Sequence, residues 1–270
     1  MTVAIVTSFG ATKNYPDQSM MRRTFHAFLN SLRRQTDQDF RLFISHHDKP
    51  AGVPCDDPWI EWRSISFNDE HQGAMVPVMF PSTARDTINW KAVPCDGKNT
   101  DMGRKTYNSV IHAGLWAYEN RLPGFWMLRM DSDDLLAFNM VESLNRLDTK
   151  KCRAVFNRNC HMYDPTRHEI AIHNFPSSTT CNAMYFNVYA NGVFSPHWFY
   201  HCRDHTTFAR TVQMDGIPFA EWDWTFCITT NSGNHISNRP AIDEEKNVRK
   251  IPMTRELAER YGIDGFKHVS

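Results

Sequence analysis

The sequence predicts an α/β fold built on a mainly parallel sheet flanked by helices. Three features predict it. The chain opens as strand, helix, strand, a connection that normally builds a right-handed parallel unit. The run Phe125-Trp126-Met127-Leu128-Arg129-Met130 is continuously apolar apart from one arginine, as a central buried strand should be. The segment before that run carries apolar residues at helical spacing, giving the strand its covering layer.

Taken in order, Val3-Ala4-Ile5-Val6 is a short β-branched run that ends in the loop-like Thr7-Ser8-Phe9-Gly10. Over 19–35, Met21, Phe25, Phe28, Leu29 and Leu32 recur on one helical face, with arginines opposite. Arg41-Leu42-Phe43-Ile44-Ser45 reads as the second strand, broken by His46-His47-Asp48-Lys49-Pro50. Alternation over 59–67 predicts a third strand. Residues 69–100, with Pro77, Pro81 and Pro94, read as a long loop holding a short hairpin. A helix over 106–120 buries Tyr107, Val110, Ile111, Leu115 and Tyr118, and further helices are expected over 138–147, 196–212 and 250–261. From 157 onward short strands and loops dominate. With no repeat, low-complexity tract or Gly/Ser linker, the expectation is one domain over 1–270. Its halves would be a nucleotide-sugar-binding half over 1–150 and a smaller acceptor and catalytic-base half over 151–270.

Composition narrows the function classes. The chain has 270 residues, 41% apolar and 13% aromatic, enough for a sizeable core and unlike a disordered chain. Thirty basic side chains balance thirty acidic ones, so nothing in the net charge favours nucleic acid or an anionic membrane as main partner. Seven dispersed cysteines without a C-x-x-C pair suit free buried thiols. Met1 to Phe9 reads as a strand and not as a leader, and no run reaches the roughly 18 apolar residues of a membrane span. A cytoplasmic protein is expected, with peripheral association at a membrane face left open.

The strongest chemical signal is Asp131-Ser132-Asp133-Asp134, three carboxylates at the carboxyl end of the apolar strand. In open α/β sheets that edge is where ligands bind. Carboxylates packed this closely repel, and a hard divalent cation, Mn2+ or Mg2+, relieves the repulsion while nucleotide phosphates complete its coordination. On an extended chain Asp131 and Asp133 would point the same way. The alternative is a solvated turn or helix cap, since Asp134 precedes a Leu-rich segment read as helical.

Two runs carry a family resemblance. Ser31-Leu32-Arg33-Arg34-Gln35-Thr36-Asp37-Gln38-Asp39-Phe40 resembles the link from first helix to second strand in GT-A glycosyltransferases. Met127-Leu128-Arg129-Met130-Asp131-Ser132-Asp133-Asp134-Leu135-Leu136 resembles their DxD segment, and is similar to that of bacterial rhamnosyltransferase-type sequences with R-x-D-x-D-D. The resemblance covers 1–150 well and the remainder loosely. It implies the Rossmann-like GT-A fold, with a mixed, mainly parallel sheet. It also implies an inverting, metal-dependent transfer of a hexose, rhamnose among the candidates, from a nucleotide diphosphate to a saccharide acceptor, as in polysaccharide biosynthesis. Donor contacts fall on Thr7, Asp48, Arg104, Lys105 and Asp131, and metal contacts on Asp131 and Asp133, with Asp134 matching an additional acid. His46-His47 stands where many relatives carry an acidic pair, so base recognition departs from theirs.

Further along, Phe219-Ala220-Glu221-Trp222-Asp223-Trp224 resembles the family's E-D-W segment, which places the catalytic base at Glu221, with Asp223 as the alternative. A base must take the acceptor hydroxyl's proton, and neighbouring tryptophans would exclude water and raise a carboxyl pKa. His235 matches a third metal ligand that such enzymes often carry after the base segment. Two competing readings stay open: a carbohydrate-binding relative without catalysis, and a metal-dependent phosphohydrolase using the same aspartates.

Overall fold

The computed structural model describes residues 2–9, 15, 17–46, 49–64, 73–78, 89–94, 100–157, 160–164, 167, 169–173, 181–187, 208–222, 227–230 and 249–263. Strand β1 (Val3–Phe9) is wholly buried and leads to helix α1 (Gln18–Arg33), capped by the Asp17 carboxylate accepting the Met20 N–H. Strands β2 (Phe40–His46) and β3 (Ile60–Ser64) follow, then the antiparallel pair β4 (Gly73–Val78) and β5 (Asn89–Pro94). Helix α2 (Thr100–Glu119) returns the chain to β6 (Gly124–Arg129). Beyond it come β7 (Leu135–Leu136), α3 (Met140–Asn145), β8 (Ala154–Asn157), β9 (Cys160–Asp164), β10 (Glu169–His173) and β11 (Asn182–Asn187). The described chain closes with α4 (Phe208–Met214), β12 (Phe219–Trp222), β13 (Cys227–Thr230), β14 (Arg249–Pro252) and α5 (Arg255–Tyr261).

These strands form a seven-stranded sheet in the order β12-β8-β11-β6-β1-β2-β3, in which only β11 runs against the rest. The mixed, mainly parallel α/β sheet expected from the sequence is therefore present. A five-stranded sheet, β14-β10-β9-β13-β7, lies beside it. Because strand side chains alternate between faces, β1 serves two cores. Val3, Ile5 and Phe9 pack with Trp126 and Leu128 against Phe25, Phe28 and Leu32 of α1. Ala4 and Val6 pack with Phe125 and Met127 against Val110, Ala113 and Ala117 of α2. A third cluster joins Leu135, Tyr163, Ile170 and Ile228 of the second sheet to Ala27 of α1 and Tyr261 of α5.

Three local expectations change. The Leu-rich segment after Asp134 is the strand β7, because Leu135 and Leu136 pair with Ile228 and Cys227. The helix expected over 250–261 is divided. Arg249–Pro252 pairs with β10, Ile251 being held extended by the proline after it, and α5 starts only behind its Thr254 cap. The helix expected over 196–212 is seen as Phe208–Met214, and 196–207 lies outside the described residues. The hairpin expected within 69–100 is β4–β5.

Candidate active site

The sheet reverses its order at β1. One crossover, through α1, carries the chain to β2 on one side; a longer one, through α2, ends at β6 on the other. The crevice between β1 and β6 is therefore a switch point, where open α/β sheets bind ligands. The register Val6↔Arg129 and the Met130 N–H bond to the Val6 carbonyl (3.2 Å) set the two strand ends level. Buried polar side chains gather along this edge: Thr7, Ser8, Ser45, His46, Ser109, Arg129, Asn157 and Asn182, with Ser132 and Asp134 just beyond.

The carboxylates sit on a turn. The Asp134 N–H donates to the Asp131 carbonyl at 3.2 Å, so Ser132 and Asp133 occupy the two central positions. The expectation that Asp131 and Asp133 project in parallel from an extended chain is thus corrected: a reverse turn takes the backbone from one sheet to the other within four residues. The three acids are not equivalent. Asp131 is 34% exposed and lies 3.8 Å from the Arg129 guanidinium; Asp133 is half-buried; Asp134 is fully buried.

Ser109 of α2 ties the crevice together. Its hydroxyl donates to the Thr7 carbonyl (2.6 Å) and accepts the Ser45 N–H (2.9 Å), with the Ser45 hydroxyl also 2.9 Å away. Arg104 and Lys105 lie on α2, about 6–8 Å of helix rise from Ser109 toward the start of the helix. Thr7 was expected to end the first strand, but β1 continues through Phe9 because Ser8 and Phe9 pair with Ser45 and His46; the Thr7 side chain is fully covered and its hydroxyl has no hydrogen-bond partner among the described residues. At the end of β2, His46 meets Trp62 edge-on at 5.0 Å, and the Lys49 ammonium lies 5.1 Å from the same ring. Asp48, Asp223 and His235 lie outside the described residues.

Glu221 belongs to β12, at the far edge of the large sheet. Pairings run in one row, Glu221↔Phe156, Phe156↔Asn182, Asn182↔Arg129. Glu221 and Arg129 therefore share a face and an edge of the sheet, separated by three strand spacings, about 14 Å. Glu221 is exposed, and Trp222, the next residue, packs with the α1-side core on the opposite face. The wall of tryptophan expected around Glu221 is thus not supplied by Trp222, because neighbours on a strand point opposite ways.

Arg129 and Ser109 were given no role by sequence reasoning. Arg129 was legible as the one charge in an apolar strand; Ser109 carried no signal, since its partners are far away in the chain. Four cysteines, Cys55, Cys152, Cys181 and Cys227, are free and buried, as expected of thiols used as core. Burial pushes the Cys181 thiol up, a hydrogen bond with Cys227 opposes this, and Asp134 and Asp131 push it further, which keeps it protonated below the turn.

Among the described residues no three His, Cys, Asp or Glu side chains form an all-protein metal cage. A Mg2+- or Mn2+-type ion held with a diphosphate needs none: one or two carboxylates suffice when phosphate oxygens and water fill the rest. The half-exposed pair Asp131 and Asp133 suits that arrangement, whereas Asp134 is covered.

No protein-family model matches the sequence, and no curated protein matches it. Among solved structures it is similar to the apo structure of the bifunctional glycosyltransferase WbbM. The TM-score is 0.27 at 14% identity, over 58% of this chain and 23% of that one. It is also similar to the glycosyltransferase GlyE of Streptococcus pneumoniae TIGR4, with TM-score 0.36 at 9% identity, over 82% of this chain and 45% of that one. The chain thus spans less than half the length of either. No helix among the described residues is long and apolar enough to cross a membrane.

Proposed function

We propose that the protein is a metal-dependent glycosyltransferase that binds a nucleotide-diphosphate sugar at the β1–β6 crevice and transfers its sugar, with inversion, to a saccharide hydroxyl. The observation that carries this reading is the carboxylate turn itself. Three acids stand at the end of the central strand, beside a switch point, with one of them paired to a buried arginine. Asp131 and Asp133 would hold a divalent cation, Mn2+ or Mg2+. Such an ion, when bound, offsets the charge of a departing diphosphate. Arg104 and Lys105, in the first turns of α2, would offset the charge of the phosphate oxygens. Glu221 or Asp223 accepts the proton of the attacking hydroxyl. Glu221 stands on the same edge and face of the sheet as Arg129, leaving room for a sugar between the two. His235 remains a proposed further metal ligand. The resemblance to rhamnosyltransferase-type sequences makes deoxythymidine-diphosphate-rhamnose the first donor to test.

The test is calorimetric binding of nucleotide diphosphates and their sugars, with Mn2+ and with chelator. Metal-dependent binding of one nucleotide is expected, weakened at least about tenfold in Asp133→Ala through loss of a charged ligand. Glu221→Gln should keep donor binding and lose transfer; Asp223→Asn is the comparison that assigns the base. If no nucleotide binds under either condition, the transferase reading falls.

A further inference from the structure

The run from Ser31 to Phe40 has a physical task in the structure, performed at a distance in sequence. Ser31 and Gln35 are 1% and 4% exposed. The Ser31 hydroxyl donates to the Phe28 carbonyl at 2.7 Å and accepts the Leu136 N–H at 3.1 Å. The Gln35 amide donates to the Ala137 carbonyl (2.9 Å) and to the Ser31 carbonyl (3.1 Å), and its oxygen accepts the Val141 N–H (3.1 Å). The Thr36 N–H donates to the Phe138 carbonyl at 2.7 Å, and Asn145 donates to Asp37 at 2.7 Å. The end of α1 is thereby bonded repeatedly to the segment that follows the carboxylate turn.

That segment needs an external brace. β7 is two residues long and lies at the edge of the five-stranded sheet, so its own ladder is thin. The leading arm of the turn is fixed by β6 inside the large sheet; the trailing arm is fixed by Ser31 and Gln35. Asp131, Asp133 and Asp134 repel one another between these anchors, and ion-binding constellations tolerate displacements of only about 0.5 Å. We infer that Ser31 and Gln35 are positioning residues of the carboxylate turn, holding its trailing arm so that Asp131 and Asp133 keep the spacing a divalent cation and a diphosphate require. The restraint stands on the hydrogen bonds alone; its link to cation and diphosphate rests on the glycosyltransferase reading.

Ser31→Ala tests it, because it removes one hydroxyl and little volume. Thr24→Ala is the control: Thr24 is also buried on α1, and among the described residues its hydroxyl bonds only within its helix, to the Met21 carbonyl. Two quantities are read. One is amide hydrogen exchange over 131–141 against 124–130. The other is the affinity gain that Mn2+ confers on uridine diphosphate and deoxythymidine diphosphate. Ser31→Ala is expected to speed exchange over 131–141 by about five- to tenfold and to cut the Mn2+-dependent gain by a similar factor, while metal-free binding stays unchanged. Thr24→Ala should do neither. Gln35→Met, which removes three bonds at nearly constant length, should exceed Ser31→Ala in both readings. Unchanged exchange overturns the inference, and so does faster exchange with an intact Mn2+-dependent gain. A wild-type chain that binds neither diphosphate overturns the transferase reading instead. The exchange comparison needs no ligand and then decides the restraint by itself.

Discussion

At the scale of the residue, exposure separates three aspartates that the sequence presents as equals. Asp134 is covered, whereas Asp131 and Asp133 reach solvent at the crevice. Arg129 is the counterweight: 122 residues of sequence separate it from Thr7, yet in the fold it stands at the same crevice edge as Thr7 and Ser8. A buried guanidinium is costly unless paired, and Asp131 supplies a partner at 3.8 Å. Arg129→Met should destabilise the protein by about 1–3 kcal/mol, less than a fully buried pair because Asp131 is one-third exposed. Mn2+ should restore part of the loss by supplying positive charge to the same turn. Urea unfolding of wild type and variant, with and without Mn2+, measures both; a loss that Mn2+ leaves untouched would separate Arg129 from the proposed cation site.

At the scale of the element, the central strand depends on a glycine at its start. A Cβ on Gly124 would collide with the Tyr185 ring and lie 2.9 Å from the Phe186 carbonyl of β11, which is backbone and cannot swing aside. Gly124→Ala should therefore cost about 1–3 kcal/mol through strain between β6 and β11. Chemical denaturation would show it as a lower midpoint at unchanged slope. Wild-type stability would mean that the two strands separate more easily than their register implies. The same β6–β11 pairing carries Asn182 opposite Arg129, so strain at Gly124 should spread toward the crevice.

At the scale of the whole molecule, the dependence of stability on pH sums over all groups, and His112 makes a definite contribution. This histidine of α2 is held neutral, its pKa lowered to about 4 by burial and then by the nearby Arg63 cation. The unfolded chain binds a proton near 6.5, so between about 6.5 and 4 the unfolded state holds more protons than the folded one. Stability therefore rises with pH through that window, and acidification from 6.5 to 4 removes up to about 3 kcal/mol. His112→Gln should flatten this limb of the profile, read from urea midpoints at a series of pH values. An unchanged slope would place the acid sensitivity in other groups.

Much of this was legible in the amino-acid order. Apolar runs and helical spacing located β1, α1, β2, α2 and β6, because these elements are buried and their patterns follow from burial. Asp131, Asp133 and Asp134 were legible as a candidate site because carboxylates so close together need a reason to stay close. Other features were decided only by tertiary contacts. Leu135 and Leu136 became a strand because Ile228 and Cys227 offered them a ladder. The direction of Asp133 followed from a turn whose trailing arm is held by Ser31 and Gln35. Trp222 parted from Glu221 once β12 paired with β8 and put them on opposite faces. Local patterning records which residues must leave water; which distant partner each one meets, and so where a side chain points, is set by hydrogen bonds and packing that close only when the chain is folded.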